Sequence, residues 1–188
     1  MPTIVDYQIV LDRLTSQGLE CHYYNGGSFG FGPAAEVRGW IGPPDGTIRP
    51  ELDKFARRVA APFGATLAGL AVRAWRQVLA GNVWVMPASN WSYELNHGSR
   101  EWLPGLLGDC GIDFSLLIGR TNAAAIEFLP GEEAGFEGFV GGLLAGLTTS
   151  DFALAFPGRA AVCTVHHHQQ LWWVTNNRQL AMLLDGID

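Results

Sequence analysis

Apolar positions along the chain follow two rhythms, a three-to-four spacing and a shorter alternation or run, and these divide it into predicted helices and strands. The clearest helical stripe lies in Glu132 to Leu147, where Phe136, Phe139, Val140, Leu143, Leu144 and Leu147 share a face. The same segment carries Gly135, Gly138, Gly141, Gly142 and Gly146. Glycine costs about 0.5–1 kcal/mol relative to alanine inside a helix, so these positions imply close approach by another element, with the helix lying flat on a sheet. A second stripe, Leu67, Leu70, Ala71, Ala74, Trp75 and Val78, predicts a helix over Thr66 to Leu79, stopped by Gly81-Asn82. Thr3 to Gln17 reads as a third helix, with Thr3 and Asp6 to cap it and Gly18 to end it. Pro50 opens another, with Leu52, Phe55 and Val59 inward. Weaker helices follow Ser99 and run from Ile112 to Ile118, and a last one after Asn177 buries Leu180, Leu183 and Leu184.

Strand patterns fall between these. Leu19 to Tyr24 precedes the turn Asn25-Gly26-Gly27, and Ser28 to Gly32 is expected to pair with Val37 to Ile41 around Pro33. Val83 to Met86 is apolar at every position, as a central strand would be. Trp91 to Leu95, Ala123 to Leu129 and Phe152 to Phe156 read as further strands, and Ala160 to Thr175 as a hairpin. The sum is a single α+β domain over residues 1–188, mainly antiparallel, with a C-terminal hairpin meander and helices packed on one face.

Composition narrows the setting. The chain is 48% hydrophobic and 16% charged over 188 residues, enough for a substantial core. It lacks an uninterrupted apolar run of about 18 residues and a basic, then apolar, leader, so a soluble, cytoplasmic protein without a membrane partner is expected. The net charge of −6 and the single lysine, Lys54, argue against a nucleic-acid partner. Three dispersed cysteines, Cys21, Cys110 and Cys163, form neither a disulfide framework nor a zinc knuckle. The surplus apolar surface points to a protein or small-molecule partner, or to a homo-oligomer.

The densest chemistry is in the hairpin, AAVCTVHHHQQLWWVT from Ala160 to Thr175. With Gln169-Gln170 as the turn, His167 faces Trp172 and His166 faces Trp173, whereas a longer loop, which the lack of positive-φ preference in Gln-Gln leaves open, would change that register; alternation puts His166 and His168 on one side. Two imidazoles at that spacing can converge on a divalent metal such as zinc. Glu94 and His97 would add a carboxylate and a further nitrogen, and such a site could support metal-dependent hydrolysis. No other cofactor is expected. A separate candidate is Cys110, in Gly-Asp-Cys-Gly ahead of a short predicted helix whose N-terminus would lower the thiol pKa. The order Cys110, then a strand bearing His166 to His168, then Asn176 resembles that of papain-like and transglutaminase-like Cys–His hydrolases. That resemblance implies Cys110 as nucleophile, His166 as base and Asn176 as the orienting group. The seven tryptophans and four tyrosines support a third reading, a non-catalytic binding or interaction domain. It needs no convergence of distant residues, so it takes precedence.

Overall fold

The computed structural model describes residues 1–19, 21–24, 28–31, 36–42, 58–60, 66–120, 123–167 and 169–187. The strands are β1 (Thr3–Asp6), β2 (Cys21–Tyr24), β3 (Ser28–Phe31), β4 (Glu36–Gly42), β5 (Arg58–Ala60), β6 (Val83–Pro87), β7 (Ala124–Phe128), β8 (Phe152–Phe156), β9 (Ala161–His166) and β10 (Gln170–Thr175). The helices are α1 (Tyr7–Ser16), α2 (Leu67–Ala74), α3 (Trp91–Asn96), α4 (Leu103–Asp109), α5 (Glu133–Gly146) and α6 (Arg178–Asp185). Eight strands form one sheet in the order β1-β7-β6-β8-β9-β10-β4-β5, while β2 and β3 pair separately. Neighbours in the large sheet are antiparallel except β4 and β5. The fold is therefore α+β and mainly antiparallel, and β8-β9-β10 is the expected C-terminal meander.

Strand alternation sorts the core into two layers. Val83, Val85, Ile126, Phe128, Leu154, Phe156, Cys163, Val165 and Trp173 point to one face, where α2, the π-helical turn Trp75–Leu79 that continues it, and α3 to α6 cover them with Leu70, Trp75, Trp91, Leu107, Phe136, Phe139, Leu143, Leu180 and Leu184. Trp84, Met86, Ala125, Ala153, Ala155 and Val162 point to the other face, where α1 packs Val10 and Leu14. The helices thus gather on one face, with α1 across the other. Small residues dominate that second sheet surface, which lets α1 lie close. Among the described residues no helix is long and apolar enough to cross a membrane.

Several elements differ from the sequence expectation. Thr3 to Asp6 is not helical. It is an edge strand on β7, and Asp6 caps α1 by accepting the Gln8 N–H at 3.1 Å. β3 pairs with β2, while β4 pairs with β10. Trp91 to Leu95 is helical because Asn90 caps it, accepting the Tyr93 N–H at 2.7 Å, and the Trp91 indole N–H reaches the Ala124 carbonyl at 2.8 Å. Val59 lies in β5, and the rest of the helix predicted after Pro50 lies outside the described residues, apart from Arg58 and Ala60 in that same strand. Leu183 is 58% exposed, and Ala181 takes its place on the buried side of α6. Two glycines of α5, Gly142 and Gly146, admit side chains from α4 and its N-cap, whereas Gly135 faces Phe128 of β7 and Gly138 meets nothing within 4 Å. A methyl group at Gly142 would come within 2.5 Å of Leu106, and one at Gly146 would overlap the Trp102 ring.

Candidate functional site

At one end of the sheet, three connections meet. β6 ends at Pro87 and passes through Ala88 and Ser89 into α3. α5 passes through Thr149, Ser150 and Asp151 into β8. β9 ends at His166 and turns back through His167. The strand register aligns them, with Pro87 opposite Phe152 and Phe152 opposite Val165. The ladder extends one step further where the Ala88 N–H donates to the Asp151 carbonyl at 3.0 Å. An open cleft of about 400 Å³ lies here, lined by Ala88, Ser89, Tyr93, Glu94, Thr149, Ser150, Asp151 and His167.

The hairpin register decides what the histidines do. His166 pairs with Gln170, Thr164 with Trp172 and Cys163 with Trp173. This corrects the expected pairing of His167 with Trp172 and His166 with Trp173. The connection is the three residues 167–169, closed by Gln169 at φ +61°, a left-handed conformation typical of the last residue in a three-residue hairpin loop. Glutamine has no intrinsic preference for that region. Its side-chain amide donates to the Leu144 carbonyl at 2.9 Å and ties the hairpin tip to the end of α5.

Because the strand ends at His166, alternation no longer separates the next residue. The rings of His166 and His167 stack with centroids 4.2 Å apart and planes 25° from parallel. His167 is held by Asp151, whose Oδ1 accepts the His167 backbone N–H at 3.0 Å and lies 2.8 Å from its ring Nδ1. His166 is 4% exposed, with the Trp172 ring 6.4 Å away. One donor atom from each of Asp151, His166 and His167 can be chosen so that all lie within 4.8 Å of one another. His168 lies outside the described residues.

Glu94 forms the other wall. Its carboxyl is buried and accepts the Ser89 hydroxyl at 3.3 Å and the Ser99 hydroxyl at 3.5 Å, with Ser150 as a further hydroxyl partner. Burial raises its pKa above the ordinary value, against the lowering pull of the three hydroxyls and of His97. His97 is exposed. Its Nδ1 lies 2.9 Å from the Tyr93 carbonyl, and its ring stacks on Tyr93 at 4.2 Å.

The expected residues therefore separate into two sets. Glu94 and His167 share the cleft, and His166 stacks on His167 without being among the lining residues. His97 supports Tyr93 and is not among the lining residues. Asn176 follows the far end of β10 and donates to the Gln17 carbonyl at 2.9 Å. It stands six residues along the strand from the partner of His166, about 20 Å away. Cys110 caps the C-terminus of α4, with its thiol 3.9 Å from the Gly135 carbonyl near the start of α5. The hairpin tip is anchored nine residues further along α5 at Leu144, about 13 Å along the helix axis. Burial and the neighbouring Asp109 push the Cys110 thiol up, the reverse of activation. The segment after it is only the three-residue 3-10 turn Phe114–Leu116, too short for a useful helix dipole. Asp151 was not among the residues singled out from the sequence. The run Thr149-Ser150-Asp151 just before an apolar strand is its only local signal. No protein family, curated protein or solved structure matches this chain.

Proposed function

We propose that the protein is a binding domain that takes a small, neutral or cationic polar molecule into the cleft beside α3. The lining is the observation that supports this reading. It combines two carboxyl groups, Glu94 and Asp151, with the hydroxyls of Ser89, Thr149, Ser150 and Tyr93 and the imidazole of His167, and no lysine or arginine is among them. A volume of about 400 Å³ falls within the range of small-molecule sites. Hydroxyls and carboxyls recognise hydrogen-bond donors, and among the described lining residues no lysine or arginine is there to receive an anion. Saturation-transfer NMR with ethanolamine, glucose and inorganic phosphate tests the reading. Saturable contact with ethanolamine or glucose is expected, to be lost in Thr149→Trp, which fills the exposed rim. Binding of phosphate alone, or of none of the three, overturns it. A second reading, a metal-dependent hydrolase, draws on one observation: Asp151 and His167 stand in the same lining as the buried acid Glu94.

A further inference from the structure

We propose that Asp151, His166 and His167 hold a first-row divalent transition-metal ion, with Zn²⁺ as the type, at the hairpin end of the cleft. The inference goes beyond the cleft reading, because the ion needs no small molecule to bind. Two imidazoles and a carboxylate form a borderline donor set, suited to Zn²⁺, Co²⁺ or Ni²⁺ rather than to Ca²⁺ or Mg²⁺, which prefer oxygen. The donors are mounted on well-held backbone. Asp151 precedes β8 by one residue and His166 ends β9, and these strands pair next to each other near the middle of the sheet.

The distances fit an ion with modest adjustment. Two donors each about 2.1 Å from a tetrahedral ion stand roughly 3.4 Å apart. Here one pair, Asp151 Oδ1 and His167 Nδ1, is 2.8 Å apart, and the set lies within 4.8 Å. These separations bracket that value, so side-chain rotations can close the set. The His167 backbone N–H to Asp151 Oδ1, at 3.0 Å, keeps the carboxylate oriented from outside the coordination shell. Three protein donors leave a position open, and Asp151 and His167 place it beside the cleft.

The test starts from the full chain stripped with a chelator and titrated with Zn²⁺ by calorimetry and with Co²⁺ by visible absorption. One ion per chain is expected, with a Co²⁺ spectrum free of thiolate charge transfer. Asp151→Asn and His167→Gln should each weaken binding at least tenfold, while His97→Gln and Cys110→Ser leave it unchanged. Absence of saturable binding, or undiminished binding in the Asp151→Asn/His167→Gln double variant, overturns the proposal. Should either variant fail to fold by circular dichroism, long-range ¹H–¹⁵N correlation of the native histidine rings decides. Zn²⁺ must shift the ring nitrogens of both His166 and His167, and an ion that leaves either ring unmoved sinks the assignment.

Discussion

Glu94 shows how much a single buried acid can say. Glu94 is 3% exposed, its carboxyl accepts from the hydroxyls of Ser89, Ser99 and Ser150, and His97, Asp151 and His167 are titratable groups around the same cleft. Burial favours the neutral acid, so the folded pKa lies above that of the unfolded chain, about 4.3. Between those two values the folded state holds more protons than the unfolded state, and stability falls as pH rises. Glu94→Gln removes the titration while keeping hydrogen-bonding capacity. The variant should therefore gain stability relative to the native chain as pH rises from about 4, with a slope below the limiting value of about 1.4 kcal/mol per pH unit, because water in the open cleft screens the charge. Urea melts of both proteins from pH 4 to pH 8 measure the difference. A constant difference across that range means that Glu94 titrates alike in both states.

At the scale of the element, α5 makes opposite predictions for one residue type. Gly146 lies under the Trp102 ring, and a side chain there must push the indole aside. Gly146→Ala should destabilise the fold by about 1–3 kcal/mol, the usual cost of overpacking. Gly138 meets nothing within 4 Å and is exposed. Gly138→Ala should stabilise by about 0.4–1 kcal/mol, because the unfolded chain loses freedom and the helix loses nothing. Thermal or urea melts of the two variants check the pair, and two shifts of the same sign would contradict the packing described for this helix. The helix itself was legible from its apolar stripe, since the 3.6-residue period depends on local geometry alone. Which glycines were packed was not, because that depends on where α4 crosses.

Across the whole molecule, the length of α5 separates chemistries that lie in suggestive order along the chain. Cys110 sits near Gly135 and the histidine pair near Leu144, at opposite ends of the helix. With burial and Asp109 both raising its pKa, the thiol should alkylate more slowly at pH 7 than free cysteine. Cys163, fully buried and also pushed well up, should react only on unfolding. Peptide mass spectrometry of iodoacetamide-treated native protein resolves the two sites. Fast labelling of Cys110 at pH 6 would revive the thiol mechanism.

Local patterning was enough for the α+β class, the central strand Val83 to Met86, the α5 stripe, the strand Phe152 to Phe156 and the existence of the C-terminal hairpin, because side-chain period and turn chemistry act over a few residues. It also singled out Glu94 and the histidine run. Short elements were where it failed. Thr3 to Asp6 reads as helix and is a strand, and Trp91 to Leu95 reads as strand and is helical, because four or five residues carry too little periodicity to outweigh a cap or a tertiary partner. Only the folded chain decided the site. A three-residue turn in place of the expected Gln-Gln pair shifted the hairpin register, and ending the strand at His166 brought its ring onto His167 instead of leaving the two on opposite faces. Asp151 joined them because β8 and β9 are neighbours in the sheet. The meander itself was legible, but its register is set at once by the turns and by burial of both sheet faces, and a slip of one residue would carry every side chain to the opposite face.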